Sequence, residues 1–174
     1  MRPIVFLDMD DVLCVSQEFN SVQVMMCFRE NQLDWPELWA GLVDSCAAKN
    51  LGLLHDEFTP QYVISSSWAT YLDRTKMCDV FTRTQLHFVR ENLHAEWMTP
   101  RSSSWSRHDE IAAWLEKFNS SCQPFIILDD PGSGWSLEQT LLMTRGHVVL
   151  CDEPLGFTTE KLETARKLMR LQLS

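Results

Sequence analysis

A short apolar segment near the amino terminus leads directly into a cluster of carboxylates. Residues 4–7 are Ile-Val-Phe-Leu, and Asp8, Asp10 and Asp11 follow within the next four positions. Four consecutive apolar residues are typical of a β-strand that is buried on both faces. Acidic side chains this close together repel one another and contribute nothing to packing, so the cluster indicates a site for a cation. A hard metal ion with oxygen ligands fits such a cluster best.

Two later apolar segments also end in polar side chains. Residues 62–64 lead into three serines at 65–67. Residues 124–128 lead into Asp129 and Asp130. Carboxylates with Mg2+ bind and polarise a phosphate, and serine hydroxyls with free backbone amides hold phosphate oxygens. A carboxylate also serves as a nucleophile on phosphorus, and a second acid can protonate the leaving oxygen and then activate water.

Predicted strands and helices alternate along the chain. Strands are expected at about residues 3–8, 62–64, 95–98, 124–128 and 147–151. Helices are expected from Asp34 past Ala47, through about 68–93, from Ser106, from Ser136 to Gly146 and from Thr158. This alternation predicts the α/β class, with a parallel sheet between helices on both faces. Sites of such sheets lie outside the carboxyl ends of the strands, so the polar strand ends are expected to converge on one pocket.

Capping patterns mark several of these helix starts. Asp34 with Glu37, and Ser136 with Gln139, match the spacing of a capping box. Residues 14–33 are expected to form a loop or hairpin, and this insert is long enough for a flap but not for a domain. Its apolar side chains have two interpretations, core packing and coverage of a substrate.

Length, composition and charge limit the classes of protein. The chain has 174 residues, 45% of them apolar and 22% charged, which predicts one globular domain over residues 1–174. A net charge of -9 opposes broad binding to nucleic acid or anionic membranes, although a local basic pocket can still receive a nucleic-acid end. No apolar run is long enough for a membrane span, and the first residues do not match a signal peptide. We therefore expect a cytoplasmic protein.

Cysteine and tryptophan usage adds two expectations. The six cysteines contain no C-x-x-C pair and no zinc-like cluster with histidine, so reduced thiols are expected. Trp68, Trp105 and Trp135 lie close to the polar motifs. Core packing and stacking on a nucleobase are both open interpretations for them.

The polar strand ends resemble the motifs of the haloacid dehalogenase (HAD) superfamily. Residues 5–13, VFLDMDDVL, resemble its first motif, D-x-D-x-[TV] after a strand. Ile64 and Ser65 resemble its second motif, and residues 127–130, ILDD, resemble the double-aspartate form of its fourth motif. The resemblance implies a Rossmann-like HAD fold, a three-layer α/β/α sandwich around a mainly parallel five-stranded sheet. With only a short insert at 14–33, it also implies no large cap domain and an open site.

A narrower resemblance covers most of the chain. Residues 65–68 (SSSW), 107–115 (RHDEIAAWL) and 156–158 (GFT) resemble the compact HAD domain of Swiss Army Knife RNA repair proteins. The chain departs from that pattern at Ala69, where the pattern has Arg, and at His108, where it has Gly. The first departure removes a cation that the pattern places beside the serine run.

The resemblance implies a role for each acidic residue. Asp8 is expected to be the nucleophile that forms an aspartyl-phosphate and to bind Mg2+. Asp10 is expected to be the general acid and base, with its backbone carbonyl on the metal. Asp130 is expected to be a metal ligand, supported by Asp129.

The phosphate-binding residues are assigned in the same way. Ser65 is expected to hydrogen-bond the phosphoryl group with help from the Ser66 amide, although a helix cap or turn also explains these serines. Arg107 is expected to be the cation of the third motif, with Lys117 as the alternative. A surface ion pair with a neighbouring acid is the competing interpretation of Arg107.

Together these expectations describe a Mg2+-dependent phosphohydrolase that acts on a phosphomonoester. The resemblance implies a phosphorylated small molecule such as a nucleotide, or an RNA or DNA end, as the substrate. Two alternatives remain open, a non-catalytic HAD-fold interaction module and a capless phosphoprotein phosphatase.

Overall fold

A five-stranded, fully parallel sheet forms the centre of the protein. The structure is a computed structural model that describes residues 2–119 and 121–174. Its strands are β1 (Ile4–Leu7), β2 (Gln61–Ile64), β3 (Leu93–Met98), β4 (Phe125–Asp129) and β5 (Val148–Leu150). They lie in the order β3-β2-β1-β4-β5, and each neighbouring pair is parallel. The predicted α/β class and parallel sheet are therefore confirmed.

Helices cover both faces of this sheet. The helices are α1 (Ser21–Glu30), α2 (Pro36–Leu42), α3 (Ser45–Phe58), α4 (Trp68–Tyr71), α5 (Arg74–Arg83), α6 (His87–Glu91), α7 (Arg107–Phe118), α8 (Leu141–Thr144) and α9 (Thr159–Leu173). A 3-10 turn lies at Trp135–Leu137. None of the helices in the described ranges is long and apolar enough to cross a membrane.

The alternation of side chains along β1 produces two apolar layers. Val5 and Leu7 belong to a core cluster with residues of α1 to α6 and α9. Ile4 and Phe6 face the other side, where Trp114 of α7 packs edge-on against Phe6 at a ring-centroid distance of 5.2 Å. All four β1 side chains are fully buried. Because successive strand residues face opposite sides, the central strand must be apolar throughout, and the result is the predicted three-layer sandwich.

The prediction for residues 14–33 is wrong in part, since this insert contains a helix rather than a loop or hairpin. Asn20 caps α1 with a reciprocal capping box to Gln23. Val24 and Cys27 on its inner face are buried in the core. The insert therefore contains one packed helix, and no cap domain is evident in the parts of the chain that the structure describes.

Two other helix predictions need correction. The helix expected from Asp34 is divided at Val43, which is extended, and Asp44 caps α3 through the Ala47 amide at 2.8 Å. The first of the two helices has no side-chain cap, so the expected Asp34 capping box is wrong.

The helix expected to begin at Ser136 is also different. Ser136 lies inside the 3-10 turn, and its Oγ accepts from the backbone N–H of His108 at 3.1 Å. Thr140 caps the short α8 instead. By contrast, the predicted starts at Ser106 and Thr158 are confirmed, because both side chains cap their helices.

Candidate active site

The candidate site lies at the carboxyl edge of the three central strands. Leu7, the last residue of β1, pairs with the last residue of β2 on one side and with the Leu-Asp end of β4 on the other. Asp8, Ser65 and Asp129 therefore lie side by side at this edge. The strand order therefore brings the three polar strand ends together, as the sequence predicts.

Asp8 is buried at the centre of the group, with only 3% of its surface exposed. Its Oδ1 accepts from the Met9 amide at 2.9 Å, and its Oδ2 accepts from the Ser133 hydroxyl at 2.9 Å. Oδ2 also lies 3.5 Å from Nη2 of Arg107. Burial raises the pKa of Asp8, while the Arg107 charge and these hydrogen bonds oppose the rise.

Asp129 lies deeper and has no exposed surface. Its Oδ2 lies 2.8 Å from Nε of Arg107, in an orientation that makes an ion pair rather than a directed hydrogen bond. Its Oδ1 accepts from the Ser133 hydroxyl at 2.8 Å. Burial and the nearby charge of Asp8 raise the pKa of Asp129 well above its usual value, although Arg107 acts in the opposite direction.

Asp130 is held by the turn that follows β4. Its Oδ1 accepts from the backbone N–H groups of Gly132 at 2.6 Å and Ser133 at 2.9 Å. Burial acts to raise the pKa of Asp130, but the hydrogen bonds from this turn outweigh burial and lower it. A Cβ at position 132 would lie 2.9 Å from Asp130 Oδ1, so a larger residue there would displace this carboxylate.

The hydroxyl of Ser133 lies among three carboxylates, those of Asp8, Asp129 and Asp130. A serine hydroxyl has one proton and can donate to only one of them at a time. Each of the three acids has a carboxylate oxygen that lies within 4.8 Å of one from each of the others. Such a buried group of carboxylates requires a proton or a cation to offset its charge, and oxygen-only ligands suit Mg2+.

Asp10 lies at the border of the site and is partly buried. Trp68 donates its indole N–H to Asp10 Oδ2 at 2.9 Å. Burial raises the pKa of Asp10 to about 6, with further contributions from the charges of Asp8, Asp11 and Asp130, while the indole hydrogen bond lowers it. Such a value suits a group that exchanges protons near neutral pH.

The loop after Asp10 turns sharply. Asp11 has a φ of 56°, in the left-handed region, and its amide donates to Cys14 O at 3.0 Å. Asp11 can bring a carboxylate oxygen close to those of Asp130 and Glu153. The structure thus gives Asp11 a place beside the site rather than among the central carboxylates.

The serine run forms the turn from β2 into α4. Ser65 is fully buried, and its Oγ accepts from Nη1 of Arg107 at 3.4 Å. Ser66 is also buried, and its Oγ accepts from the Trp68 amide at 3.5 Å. Of the three serines, Ser67 is the one among the residues that line the cavity. Both a turn and a contact with the site are therefore present in this run.

Arg107, the first residue of α7, points into the carboxylate group and is only 8% exposed. Burial acts to lower its pKa, but Asp129, Asp8 and Glu110 outweigh burial and raise it. Lys117 lies near the opposite end of α7, where its ammonium contacts the Phe118 ring at 4.9 Å from the centroid. The structure therefore brings Arg107 to the site and leaves Lys117 away from it.

A cavity of about 350 Å³ opens at this edge of the sheet. Its charged lining residues are Asp8, Asp10, Asp11, Asp130, Glu153, Arg101 and Arg107. A larger cavity of about 590 Å³ lies between α2, α3 and α5 and contains none of these carboxylates. The smaller cavity is therefore the candidate active site.

Aromatic and apolar residues near the site differ in their exposure. Trp68 is fully buried and belongs to the core, and Ala69 packs beside it. Trp105 and Trp135 are exposed, at 43% and 68%. In the insert, part of α1 packs on the core while Val22 is exposed, and none of its residues lines the cavity.

Sequence reasoning missed four residues of this site: Ser133, Glu110, Arg101 and Glu153. Glu110 lies inside the motif at 107–115, and its position in the sequence predicts no more than an ion pair with Arg107. Ser133 follows a Pro-Gly turn directly after the double aspartate, and that adjacency is a usable signal. Arg101 and Glu153 lie in loops whose local sequence carries no comparable signal.

Comparison with known proteins supports the same assignment. The model of the family described as "HAD domain in Swiss Army Knife RNA repair proteins" matches residues 4–162, which include every strand of the sheet and the whole carboxylate group. Searches of curated proteins and of solved structures found no match. Because the family match extends over most of the chain and its motifs meet in one site, the chain belongs to the HAD domain family of Swiss Army Knife RNA repair proteins.

Proposed function

We propose that this protein is a Mg2+-dependent phosphohydrolase that cleaves phosphomonoesters through an aspartyl-phosphate on Asp8. Family membership supports a HAD-type hydrolase. The observation that carries the proposal is the meeting of Asp8 with Asp129, Asp130 and Arg107 at one strand edge. This arrangement provides a nucleophile, a cation site and a fixed positive charge within one cavity.

The carboxylate group fits a divalent metal. Asp8 and Asp130 would hold Mg2+ with Asp129 in support, because their carboxylates offer the oxygen atoms that Mg2+ prefers. The resemblance to HAD proteins adds the Asp10 backbone carbonyl as a further ligand. When bound, the ion supplies charge neutralisation for the carboxylates and polarisation of the phosphate.

The first chemical step is transfer of the phosphoryl group to Asp8. A carboxylate oxygen of Asp8 attacks phosphorus, and the bond from phosphorus to the leaving oxygen breaks. Arg107 favours the ionised form of Asp8 and so opposes the effect of burial on its pKa, since its guanidinium lies 3.5 Å from Asp8 Oδ2. Protonated Asp10 gives its proton to the leaving oxygen, and a raised pKa of about 6 supplies that proton near neutral pH.

The second step releases phosphate and restores the enzyme. Asp10, now ionised, accepts a proton from water, and the water oxygen attacks the phosphorus of the aspartyl-phosphate. The bond between phosphorus and the Asp8 oxygen breaks, so inorganic phosphate leaves and the carboxylate returns. The indole of Trp68 holds Asp10 in one orientation for both proton transfers.

The proposed substrate is a nucleotide or a phosphorylated RNA or DNA end. Membership of a family described by RNA repair supports this class, and the open edge of the sheet, without a cap domain, can admit a large molecule. We further propose a cytoplasmic location, because all six cysteines are free thiols, as a reducing compartment would keep them.

A phosphatase screen with an active-site variant tests the proposal. Wild-type protein, Asp8→Asn and the control Asp34→Asn are assayed with p-nitrophenyl phosphate and with nucleoside and oligonucleotide 3′- and 5′-phosphates, with Mg2+ and with chelator. Asp34 is exposed and is not among the residues that line the cavity. Its amide variant therefore controls for the loss of one negative charge. We expect Mg2+-dependent turnover by the wild type and the control, and none by Asp8→Asn.

Two results would point elsewhere. Turnover by Asp8→Asn at the wild-type rate would exclude the aspartyl-phosphate route. No turnover by the wild type on any phosphomonoester would favour the non-catalytic interaction module. Phosphopeptides assayed beside the oligonucleotides separate the proposed substrate class from a phosphoprotein phosphatase.

A further inference from the structure

The two arginines of the cavity differ in the number of carboxylates that contact them. Arg107 contacts Asp8, Asp129 and Glu110 at 3.5, 2.8 and 3.3 Å and is almost completely buried. Its charge is therefore matched inside the protein. Arg101 lines the same cavity from the loop after β3, but its surroundings are different.

Arg101 makes one weak ion pair among the described residues. Its Nε lies 3.5 Å from Oε1 of Glu110, and 30% of its side chain is exposed. A guanidinium carries five N–H donors arranged in a rigid fork. Most of those donors remain available to a molecule that enters the cavity.

Glu110 connects the two arginines and fixes where Arg101 can lie. Its carboxylate is 4% exposed, with Oε1 toward Arg101 and Oε2 toward Arg107. A buried acid with both oxygens engaged holds the two guanidiniums in one arrangement. Arg101 is thus anchored at its Nε, beside a group that belongs to the catalytic cavity.

The rest of the charged lining repels anions. Asp11, Asp130 and Glu153 lie in the cavity wall, and burial of a phosphate there requires a positive partner. Arg107 and the proposed metal serve the phosphoryl group that reacts. Arg101 is the remaining cation of the described lining, and it has no anionic partner of its own other than the shared Glu110.

We propose that Arg101 is a specificity-determining residue, which binds a second phosphate group carried by the substrate beside the one that is cleaved. The inference rests on the proposed phosphatase function and adds the substrate class, a phosphomonoester with a further phosphate on its leaving group. Arg suits this task because its planar fork binds phosphate through two parallel hydrogen bonds. A nucleoside bisphosphate and an oligonucleotide end both carry this chemistry.

The test compares substrates that differ by one phosphate. We would measure kcat/KM for adenosine 3′,5′-bisphosphate, adenosine 3′-monophosphate, adenosine 5′-monophosphate and a dinucleotide with a terminal phosphate, with Mg2+. The proteins are the wild type, Arg101→Gln and the matched control Arg145→Gln. Arg145 is an exposed arginine that precedes β5, at the opposite edge of the sheet.

We expect the wild type and the control to favour a substrate with two phosphates at least tenfold over the corresponding monophosphate. In Arg101→Gln that preference should fall to less than threefold. If Arg101→Gln loses the preference for only one of the two substrates, the bisphosphate or the dinucleotide, that result identifies the form of substrate and supports the proposal. Equal losses for mono- and bisphosphates, or an unchanged preference, would overturn it.

Failure of the proposed function has a separate signature. If the wild type turns over no phosphomonoester, calorimetric binding of adenosine 3′,5′-bisphosphate in the presence of Mg2+ replaces the rate. Binding at least tenfold weaker in Arg101→Gln than in Arg145→Gln would support the second-phosphate site without the phosphatase. Equal affinities, or no binding by the wild type, would overturn it.

Discussion

The indole N–H of Trp68 donates to Asp10 Oδ2 across 2.9 Å, although 58 positions separate the two residues in the chain. Trp68 is fully buried at the start of α4, and Asp10 lies at the border of the cavity. The hydrogen bond favours the ionised carboxylate, while burial and three neighbouring acids favour the protonated one. Trp68 therefore connects the core to the acid that we propose as proton donor.

Replacing the Trp68 indole should raise the pKa of Asp10. In Trp68→Phe, Asp10 loses a hydrogen bond that stabilises its charged form, so its pKa should rise further above the present value of about 6. Carboxyl titration by NMR in the metal-free protein measures this shift. Trp105→Phe is the matched control, because that indole is 43% exposed and makes no contact with Asp10 among the described hydrogen bonds. An Asp10 pKa that is the same in both variants would contradict the assigned hydrogen bond.

The stability of the metal-free protein should depend on Asp10 and on pH. A carboxylic acid whose pKa is raised on folding stabilises the fold fully below its unfolded value, near 3.8, and that contribution is lost as pH rises through about 6. Asp10→Asn removes the ionisation. With an allowance for partial exposure, the variant should be more stable than the wild type by about 1–2 kcal/mol at pH 7.5, and the difference should disappear near pH 4.

Urea unfolding with chelator at both pH values measures this difference. Asp34→Asn serves as the control and should follow the wild type at each pH, since Asp34 is exposed. A wild type that is more stable than Asp10→Asn at pH 7.5 would show that the ionised carboxylate has a stabilising partner and does not suffer net repulsion.

Mg2+ should stabilise the wild-type protein against heat. An ion that binds the folded carboxylates and not the unfolded chain contributes about 2.7 kcal/mol at a concentration of 100 times its Kd. Asp130→Asn should lose most of this increase in Tm, because one anionic ligand is removed. Differential scanning calorimetry with Mg2+ and with chelator provides the comparison, and Asp34→Asn should retain the full response. An equal Mg2+ response in Asp130→Asn would place the ion elsewhere.

Loss of Arg107 should be costly to folding as well as to activity. Arg107→Ala leaves the buried acids Asp8, Asp129 and Glu110 without their shared cation, and such a change typically costs about 3–5 kcal/mol. Chemical denaturation in the absence of metal measures the loss. Lys117→Ala, on the same helix, should stay within about 0.5 kcal/mol of the wild type. Similar losses of unfolding free energy in the two variants would show that the ion pairs of Arg107 do not stabilise the fold.

Local sequence signals predicted those parts of the fold whose interactions are local. The starts of α7 and α9 are predictable because the Ser106 and Thr158 side chains accept hydrogen bonds from amides three residues ahead. The start of α1 has the same kind of signal, a capping box from Asn20 to Gln23, so the predicted loop or hairpin conflicts with a local signal. The division at Val43 also has a local cause, since Asp44 directly after it caps α3 through the Ala47 amide.

The sequence by itself determined the strand of β1 and the acids that follow it. Ile4–Leu7 can bury all four apolar side chains only in the middle of a sheet that is covered on both faces. The carboxylates that follow then have to lie at the carboxyl edge of that sheet. The same reasoning applies to β4 and its double aspartate. These features follow from hydrophobic burial and chain direction, which act over a few residues.

Only the tertiary structure decided how the acids are partnered. Ser133 lies among three carboxylates, and Glu110 is shared by Arg101 and Arg107, because the strand order β2-β1-β4 brings distant loops together. Strand order depends on the packing of whole elements, and no short pattern encodes it. The opening cluster of aspartates is therefore a site only in the company of side chains that lie about a hundred residues away in the chain.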